Sequence, residues 1–403
     1  MWEQIRSNQI RTIVLVAGMG LLLLVIGYLA GLYFFNDPIT GLVIALIVWA
    51  VMNMVAFFQG DSILLALSKA KKIKRDDHPR LYNIVEEMKI ASGLEKMPDI
   101  YIIDDPALNA FATGRNPDKA SVAITSGLLN KLNRDELQGV IAHELAHIKN
   151  RDVLLMSITA VLLGTIVILA FFVSRFMIFG SMGGTRRSSS SGGGQATLII
   201  FIVAIVLMIL APILAQLIYF AISRKREYMA DASSALYTRY PEGLASALEK
   251  LAASTGQLKS ASKATAPMYI INPFRKKGMA AANLTSTHPP ISERIRILRR
   301  MDKGASFVDY DQAYQQLHKT DSGGIISAPT IAATGAVGLR AAAPGPKGKE
   351  PDRLSRTRET DDLLWRQSNY KLITCDCGTK LRIPPKFKES SVRCPHCGKV
   401  HPL

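Results

Sequence analysis

Arg134-Asp-Glu-Leu-Gln-Gly-Val-Ile-Ala-His143-Glu144-Leu-Ala-His147-Ile-Lys-Asn-Arg-Asp152 is the stretch on which the reading of this chain turns. Leu137, Val140, Ile141, Leu145 and Ile148 recur at helical spacing, so the segment is expected to form an amphipathic helix. Asn133 is placed to cap it, and Asp135 and Glu136 fall in the first turn, where the helix dipole favours negative charge. His143 and His147, four residues apart, emerge on one face and can hold a single ion together. Glu144 stands beside that pair. This is the H-E-x-x-H arrangement, in which two histidines bind zinc and the glutamate acts on a water. A surface helix with two solvated histidines would carry the same letters, so the rest of the chain has to decide.

Catalytic zinc commonly takes three protein ligands and leaves a fourth position to water. A third ligand is therefore expected on a separate element, often as a carboxylate. Downstream, Ser223-Arg-Lys-Arg-Glu227-Tyr-Met-Ala-Asp231 resumes polar, helix-forming sequence after a long apolar stretch. Glu227 is the candidate ligand. Asp231, one turn further along the same face, can accept the free ring N–H of a zinc-bound histidine and fix its tautomer. An ordinary charge cluster beside a membrane would look much the same without the histidine pair upstream.

The apolar content of 48% is unevenly spread over the 403 residues. Thr12–Asn36 carries no charge and is long enough to cross a ~30 Å hydrocarbon core. It is too long for the apolar part of a signal peptide, so it reads as a retained span. Thr40–Phe58 is a second apolar run after a short turn, and the two make a helical hairpin. Lys69-Ala-Lys71-Lys72-Ile-Lys74-Arg75 follows, whereas the turn at Asn36–Ile39 has no basic residue. The positive-inside rule then puts both termini and the histidine helix on the cytoplasmic side, with the basic cluster near anionic headgroups. Val153–Val173 and Ala196–Ser223 are two further uncharged runs, joined by the Ser/Gly-rich Gly180–Gln195. They read as a second hairpin, spanning the bilayer or lying shallowly in it. Between the hairpins, Arg80–Ile90 reads as a helix and Pro98–Asp104 and Ser121–Thr125 as strands, with Asn109–Gly114 a turn-rich segment. The strand before the histidine helix is placed to pair with an extended peptide.

His143-Glu-Leu-Ala-His147, two apolar runs, and then Glu227-Tyr-Met-Ala-Asp231 together resemble the HtpX family of membrane-integrated zinc metalloproteases. Asn109-Ala-Phe-Ala-Thr-Gly, Asn272-Pro-Phe and Thr287-His288-Pro-Pro-Ile-Ser-Glu-Arg294-Ile add to the likeness, which runs from the first span to about Leu298. The resemblance implies zinc ligation by His143, His147 and Glu227, with Glu144 as general base. By analogy with the related prenyl-protein endopeptidases, Asn109 and His288 would contact the bound peptide or the developing oxyanion. From the residues alone, a histidine held extended before two prolines suits a fixed donor, but the structural turn is the favoured reading. His78, also before a proline, reads as structural.

Beyond Leu298 one more helix is expected over Ser306–His318. Gly323–Pro351, rich in Ala, Gly, Pro, Ser and Thr, reads as a disordered tether. Cys375-Asp-Cys377-Gly and Cys394-Pro-His-Cys397-Gly resemble the two knuckles of a zinc ribbon, with a C-x-C where C-x-x-C is commoner. Four thiolates suit a structural zinc, and cytoplasmic placement disfavours two disulfides. The net charge of +17 comes largely from membrane flanks and the basic ribbon. With only Tyr370 and Phe387 to stack bases there, nucleic acid is an unlikely partner.

The expected fold is an α+β membrane protein: transmembrane helices, a zincin-type metalloprotease domain with a small sheet, and a small β zinc ribbon. The parts are residues 1–60 (hairpin), 61–322 (protease domain interrupted by a hydrophobic hairpin at 153–223), 323–366 (disordered tether) and 367–403 (ribbon). The resemblance implies a multi-pass endopeptidase of the cell membrane, cleaving damaged or misfolded membrane proteins on the cytoplasmic side. It would hold one catalytic and one structural Zn2+, with a protein partner for the ribbon as a further expectation. The alternatives are a prenyl-protein (CAAX-type) endopeptidase, which has more spans, and a membrane-tethered ribbon acting as adaptor or nucleic-acid binder without catalysis.

Overall fold

A computed structural model describes residues 2–159, 161, 224–254, 256, 258–259, 261, 265–271, 273, 288–318, 324–332, 334–342 and 351–403. The hydrophobic hairpin expected at 153–223 lies almost wholly outside the described residues. The chain opens with two long antiparallel helices, α1 (Trp2–Phe34) and α2 (Pro38–Leu67). Asp37 caps α2, its carboxylate accepting from the Ile39 and Thr40 amides, and Pro38 starts the first turn. Gly27, Gly31 and Gly41 bring the two backbones into direct contact. Both helices are long and apolar enough to cross a bilayer.

The part of the chain that follows α2 is built on a four-stranded sheet in the order β1-β2-β4-β3. Its strands are β1 (Lys71–Lys72), β2 (Asp99–Ile103), β3 (Ala110–Gly114) and β4 (Ala120–Thr125). β2 and β4 run parallel, and β1 and β3 pair antiparallel at the two edges. Two expectations change here. Asn109–Gly114 is largely strand, not turn: all five residues of β3 are buried, and small side chains let it lie against the histidine helix. β4 has neighbours on both sides, so the sheet edge beside that helix belongs to β3. The basic cluster after α2 also does more than flank a membrane, because Lys71 and Lys72 form β1 and Ile73 is buried.

Helix α3 (Pro79–Ser92) precedes the sheet, and α4 (Ser126–Lys131) and α5 (Arg134–Lys149) follow it. Asn133 caps α5 in a reciprocal box: it accepts from the Glu136 amide at 2.9 Å, and Glu136 accepts from the Asn133 amide at 2.9 Å. Every residue from Glu136 to Ile148 is buried, so α5 is a central helix rather than a solvated one. It packs on α3, on β3, on the helix Arg224–Thr238 and on the helix Pro241–Ala253. Gly139 allows the last of these contacts, since a Cβ there would stand 2.7 Å from the Leu244 nitrogen. Gly139→Ala is expected to cost ~1–3 kcal/mol by overpacking, read as a lower unfolding midpoint in denaturant.

His78 is structural, as its proline context suggested. It caps α3, its Nδ1 accepting from the Leu81 amide at 3.2 Å. Burial, reinforced by Arg80, pulls its imidazole down from 6.5 to about 4. The unfolded chain therefore binds a proton that the folded chain refuses between these values. Stability should fall as pH drops from 6.5 toward 4, by roughly 3 kcal/mol for this group, and His78→Asn should flatten that slope in unfolding measurements.

The tether expected at 323–366 is contradicted where it is described. Ile326 is buried, with its amide donating to Asp311 Oδ1 at 3.0 Å, and Ala328–Ala332 is a short helix. The strap 334–342 returns to the protease core. Val337 accepts from the Ala305 amide at 2.8 Å, and Arg340 donates to the Thr238 carbonyl, Asp135 and Gln138 at 2.7, 2.8 and 2.9 Å. Arg353–Gln367 is a helix, capped by Asp352, that packs on α4 and buries Leu363. Composition misses this because backbone pairing and one arginine hold the strap, with none of its apolar side chains fully buried. Arg340→Ala should lower stability by ~1–3 kcal/mol, as expected for losing hydrogen bonds to charged and partly buried groups. Truncation after Ser322 should accordingly weaken the catalytic half; wild-type thermal stability of the truncated chain would contradict this.

Candidate metal centre

Four elements converge on one buried point. α5 brings His143, Glu144 and His147, the turn after α5 brings Asp152, the helix Arg224–Thr238 brings Glu227 and Asp231, and the residues around Pro290 bring His288 and Arg294. The two histidine Nε2 atoms face each other at 3.3 Å. Glu227 closes the group, with its oxygens 3.7 Å from His143 Nε2 and 3.6 Å from His147 Nε2.

The opposite ring nitrogens explain this arrangement. His143 Nδ1 lies 3.0 Å from Asp231 Oδ1, and His147 Nδ1 lies 2.9 Å from Asp152 Oδ2. A carboxylate can only accept, so each Nδ1 carries a proton, and in the neutral ring each Nε2 then presents a lone pair. Two lone pairs and a carboxylate aimed at one point in a buried site call for a cation. Tetrahedral zinc with Zn–N of ~2.0–2.1 Å would hold two ligand nitrogens about 3.3–3.4 Å apart. The donor set and its spacing fit.

Glu144 is buried, neither carboxylate oxygen makes a full hydrogen bond among the described residues, and the Ala112 amide lies near enough to interact with the carboxylate. Burial raises its pKa above the ordinary glutamate value, which suits it to take a proton. Glu227 behaves oppositely: burial would raise it, but His288 and the neighbouring histidines and Arg294 hold it well below the carboxylate range. Asp231 resists burial in the same way through Arg294, which donates to both its oxygens at 2.8 and 2.7 Å.

Asp152 and Arg294 had no role from the sequence. Asp152 closed the decisive stretch, but it lies beyond the helix and outside the helical register. Arg151 takes a left-handed conformation, with φ of 57°, and this turns the chain so that Asp152 meets His147. Arg294 stood in a quoted motif without a partner. His288 is buried, with Nε2 3.9 Å from Glu227 Oε2, so it borders the centre. Asn109 is not drawn into the cluster by its hydrogen bonds: its side chain donates to the Ile271 carbonyl at 3.2 Å and accepts from the Ala110 amide at 3.1 Å. It ties the start of β3 to the 269–271 segment.

The four cysteines form a second group. The strand pairs Lys371–Thr374 with Lys380–Ile383 and Ser391–Arg393 with Val400–Pro402 carry them. All four are free thiols, with Cys375 and Cys397 sulfurs 3.4 Å apart and Cys377 and Cys394 sulfurs 3.7 Å apart. Those separations suit a shared ion at Zn–S of ~2.3 Å. Among the described residues, these cysteines and the His143–His147–Glu227 set are the two groups that could hold a metal.

The chain is similar to known proteins over most of its length. The family model of Peptidase family M48 matches residues 75–302. A "Protease HtpX homolog" from Dictyoglomus turgidum is 45% identical over 308 residues, covering 76% of this chain and 97% of the relative. Another from Syntrophobacter fumaroxidans is 46% identical over 298 residues, covering 73% of this chain and all of the relative. Among solved structures, Ste24p of S. mikatae aligns with a TM-score of 0.40 at 19% identity, covering 74% of this chain and 67% of that one.

Proposed function

This chain belongs to peptidase family M48 as an HtpX-type membrane zinc metalloprotease, and from that premise we propose how its residues divide the work. His143, His147 and Glu227 hold the catalytic zinc. Bound there, zinc supplies Lewis-acid polarisation of the scissile carbonyl and acidifies a water. Glu144 accepts the proton of the attacking water and later returns it to the departing amine, a task for which its raised pKa suits it. Asp231 and Asp152 keep both imidazoles in the ligating tautomer. A substrate lying extended along the β3 edge would bring its carbonyl to the centre, with His288 donating to the oxyanion as charge develops.

One observation carries this reading: both Nδ1 atoms are engaged by carboxylates while both Nε2 atoms converge with Glu227. The four-cysteine module is proposed to hold a structural zinc. It is docked rather than floating, since Lys380 pairs with Asp362 on the helix Arg353–Gln367, and Arg382 lies over the Trp365 ring at 5.3 Å. This replaces a freely tethered ribbon with a fixed one, which is proposed to meet a protein partner. Damaged or misfolded membrane proteins are the proposed substrates, reached from the cytoplasmic side.

The test is metal dependence in detergent. Chelation should stop cleavage of casein, and added zinc should restore it; cleavage insensitive to chelation would overturn the reading. Orientation is checked separately, in a chain whose native cysteines are serine. A cysteine at Lys225 should label from the cytoplasmic side of sealed vesicles and one at Asp37 from the other. Labelling of both from one side would contradict the hairpin.

A further inference from the structure

The first membrane helix reaches the metal centre through the polar side chain of Asn8. On α1, Asn8, Leu15, Met19, Leu22 and Leu23 are buried at helical spacing. Met19, Leu22 and Leu23 pack with Leu154 and Ile158 from the helical residues 152–159 that follow α5. Asn8 sits at the end of this apolar seam, 2% exposed. Its Nδ2 faces two groups, the Asn150 carbonyl at 3.3 Å and Asp152 Oδ1. Both can only accept, so the orientation of the amide is fixed by chemistry. The other oxygen of Asp152, Oδ2, is the one that accepts from His147 Nδ1 at 2.9 Å.

A buried carboxylate with one oxygen unsatisfied is costly and free to rotate toward other donors. We propose that Asn8 is a positioning residue of the catalytic site, holding Asp152 by one oxygen so that the other fixes the His147 tautomer and ring. The active site then includes the first transmembrane helix, and the ligand geometry depends on that helix being seated against the end of α5. This inference rests on the zinc reading of His143, His147 and Glu227.

The test uses the full chain in detergent, with cobalt as the probe metal. Imidazole- and carboxylate-bound cobalt absorbs differently from thiolate-bound cobalt, so the two sites are read separately. Asn8→Leu keeps the volume and the apolar seam but removes the donor. It should weaken cobalt at the histidine site by about tenfold, the lower end of the usual range for outer-shell partners, and leave thiolate-bound cobalt unchanged. At subsaturating zinc, kcat should fall with KM unchanged, because fewer molecules carry the metal. Should Asn8→Leu fail to fold, Asn8→Ala removes the donor without adding bulk and should show at least the same loss. Wild-type cobalt affinity at the histidine site in a folded variant would overturn the proposal. Absence of the non-thiolate band in the wild-type chain would overturn the zinc reading itself, a distinguishable result.

Discussion

Glu144→Gln is expected to leave metal bound and to cut proteolysis by about 10²–10⁴-fold, the usual worth of a positioned general base. The amide keeps the shape of the side chain but cannot take a proton from water. The local structure makes this a mild substitution, because Glu144 makes no full hydrogen bond among the described residues and the Ala112 amide beside it can still donate to the amide oxygen. Removing the charge also relieves burial of a carboxylate, so the variant should be at least as stable as the parent chain. Zinc content and casein cleavage measured on the same preparation check it. Cleavage near the wild-type rate would remove Glu144 from the mechanism.

Glu227→Ala should lower zinc affinity at the histidine site by more than the ~10–100-fold typical of outer-shell changes. It removes the proposed third ligand, whose oxygens stand 3.6 and 3.7 Å from the two histidine nitrogens. Asp231→Asn should differ in kind. It weakens the hold on His143 Nδ1, and it also leaves Arg294 buried with its main partner neutralised. Breaking a buried pair of this type costs ~3–5 kcal/mol, so the variant should lose thermal stability as well as metal. Competition with a chromophoric chelator and thermal unfolding, run on both variants, separate the two. Equal stability loss in both would mean that Glu227 serves structure rather than metal.

The chemistry was legible where it lay in helical register. His143, Glu144 and His147 share a turn of α5, and Glu227 and Asp231 share a turn of a second helix, so spacing alone put them on common faces. Asp152 was on the page but not legible, because a left-handed Arg151 redirects the chain and no periodicity carries across such a turn. β3 was hidden by its composition: Ala-Phe-Ala-Thr-Gly has little strand propensity and owes its conformation to pairing with β4 and burial under α5. The strap at 334–342 failed for a related reason. Apolar content indicates which segments can pay for ordering by burial, but this one is held by backbone hydrogen bonds and by Arg340 reaching Asp135 at the start of α5. Long-range pairing of this kind leaves no local signature. The metal site was readable because its ligands are local in pairs, and the support around it was not because each partner arrives from elsewhere.

The central claim is that a zinc ion is held by two imidazoles and a carboxylate between α5 and the helix Arg224–Thr238. Zinc-edge X-ray absorption on the full chain, with Cys375, Cys377, Cys394 and Cys397 all changed to serine, addresses it most directly. The account predicts retained zinc with nitrogen and oxygen neighbours at ~2.0–2.1 Å, two of them imidazole, and no sulfur shell. A folded chain that retains no zinc, or whose zinc has no imidazole neighbours, would contradict it.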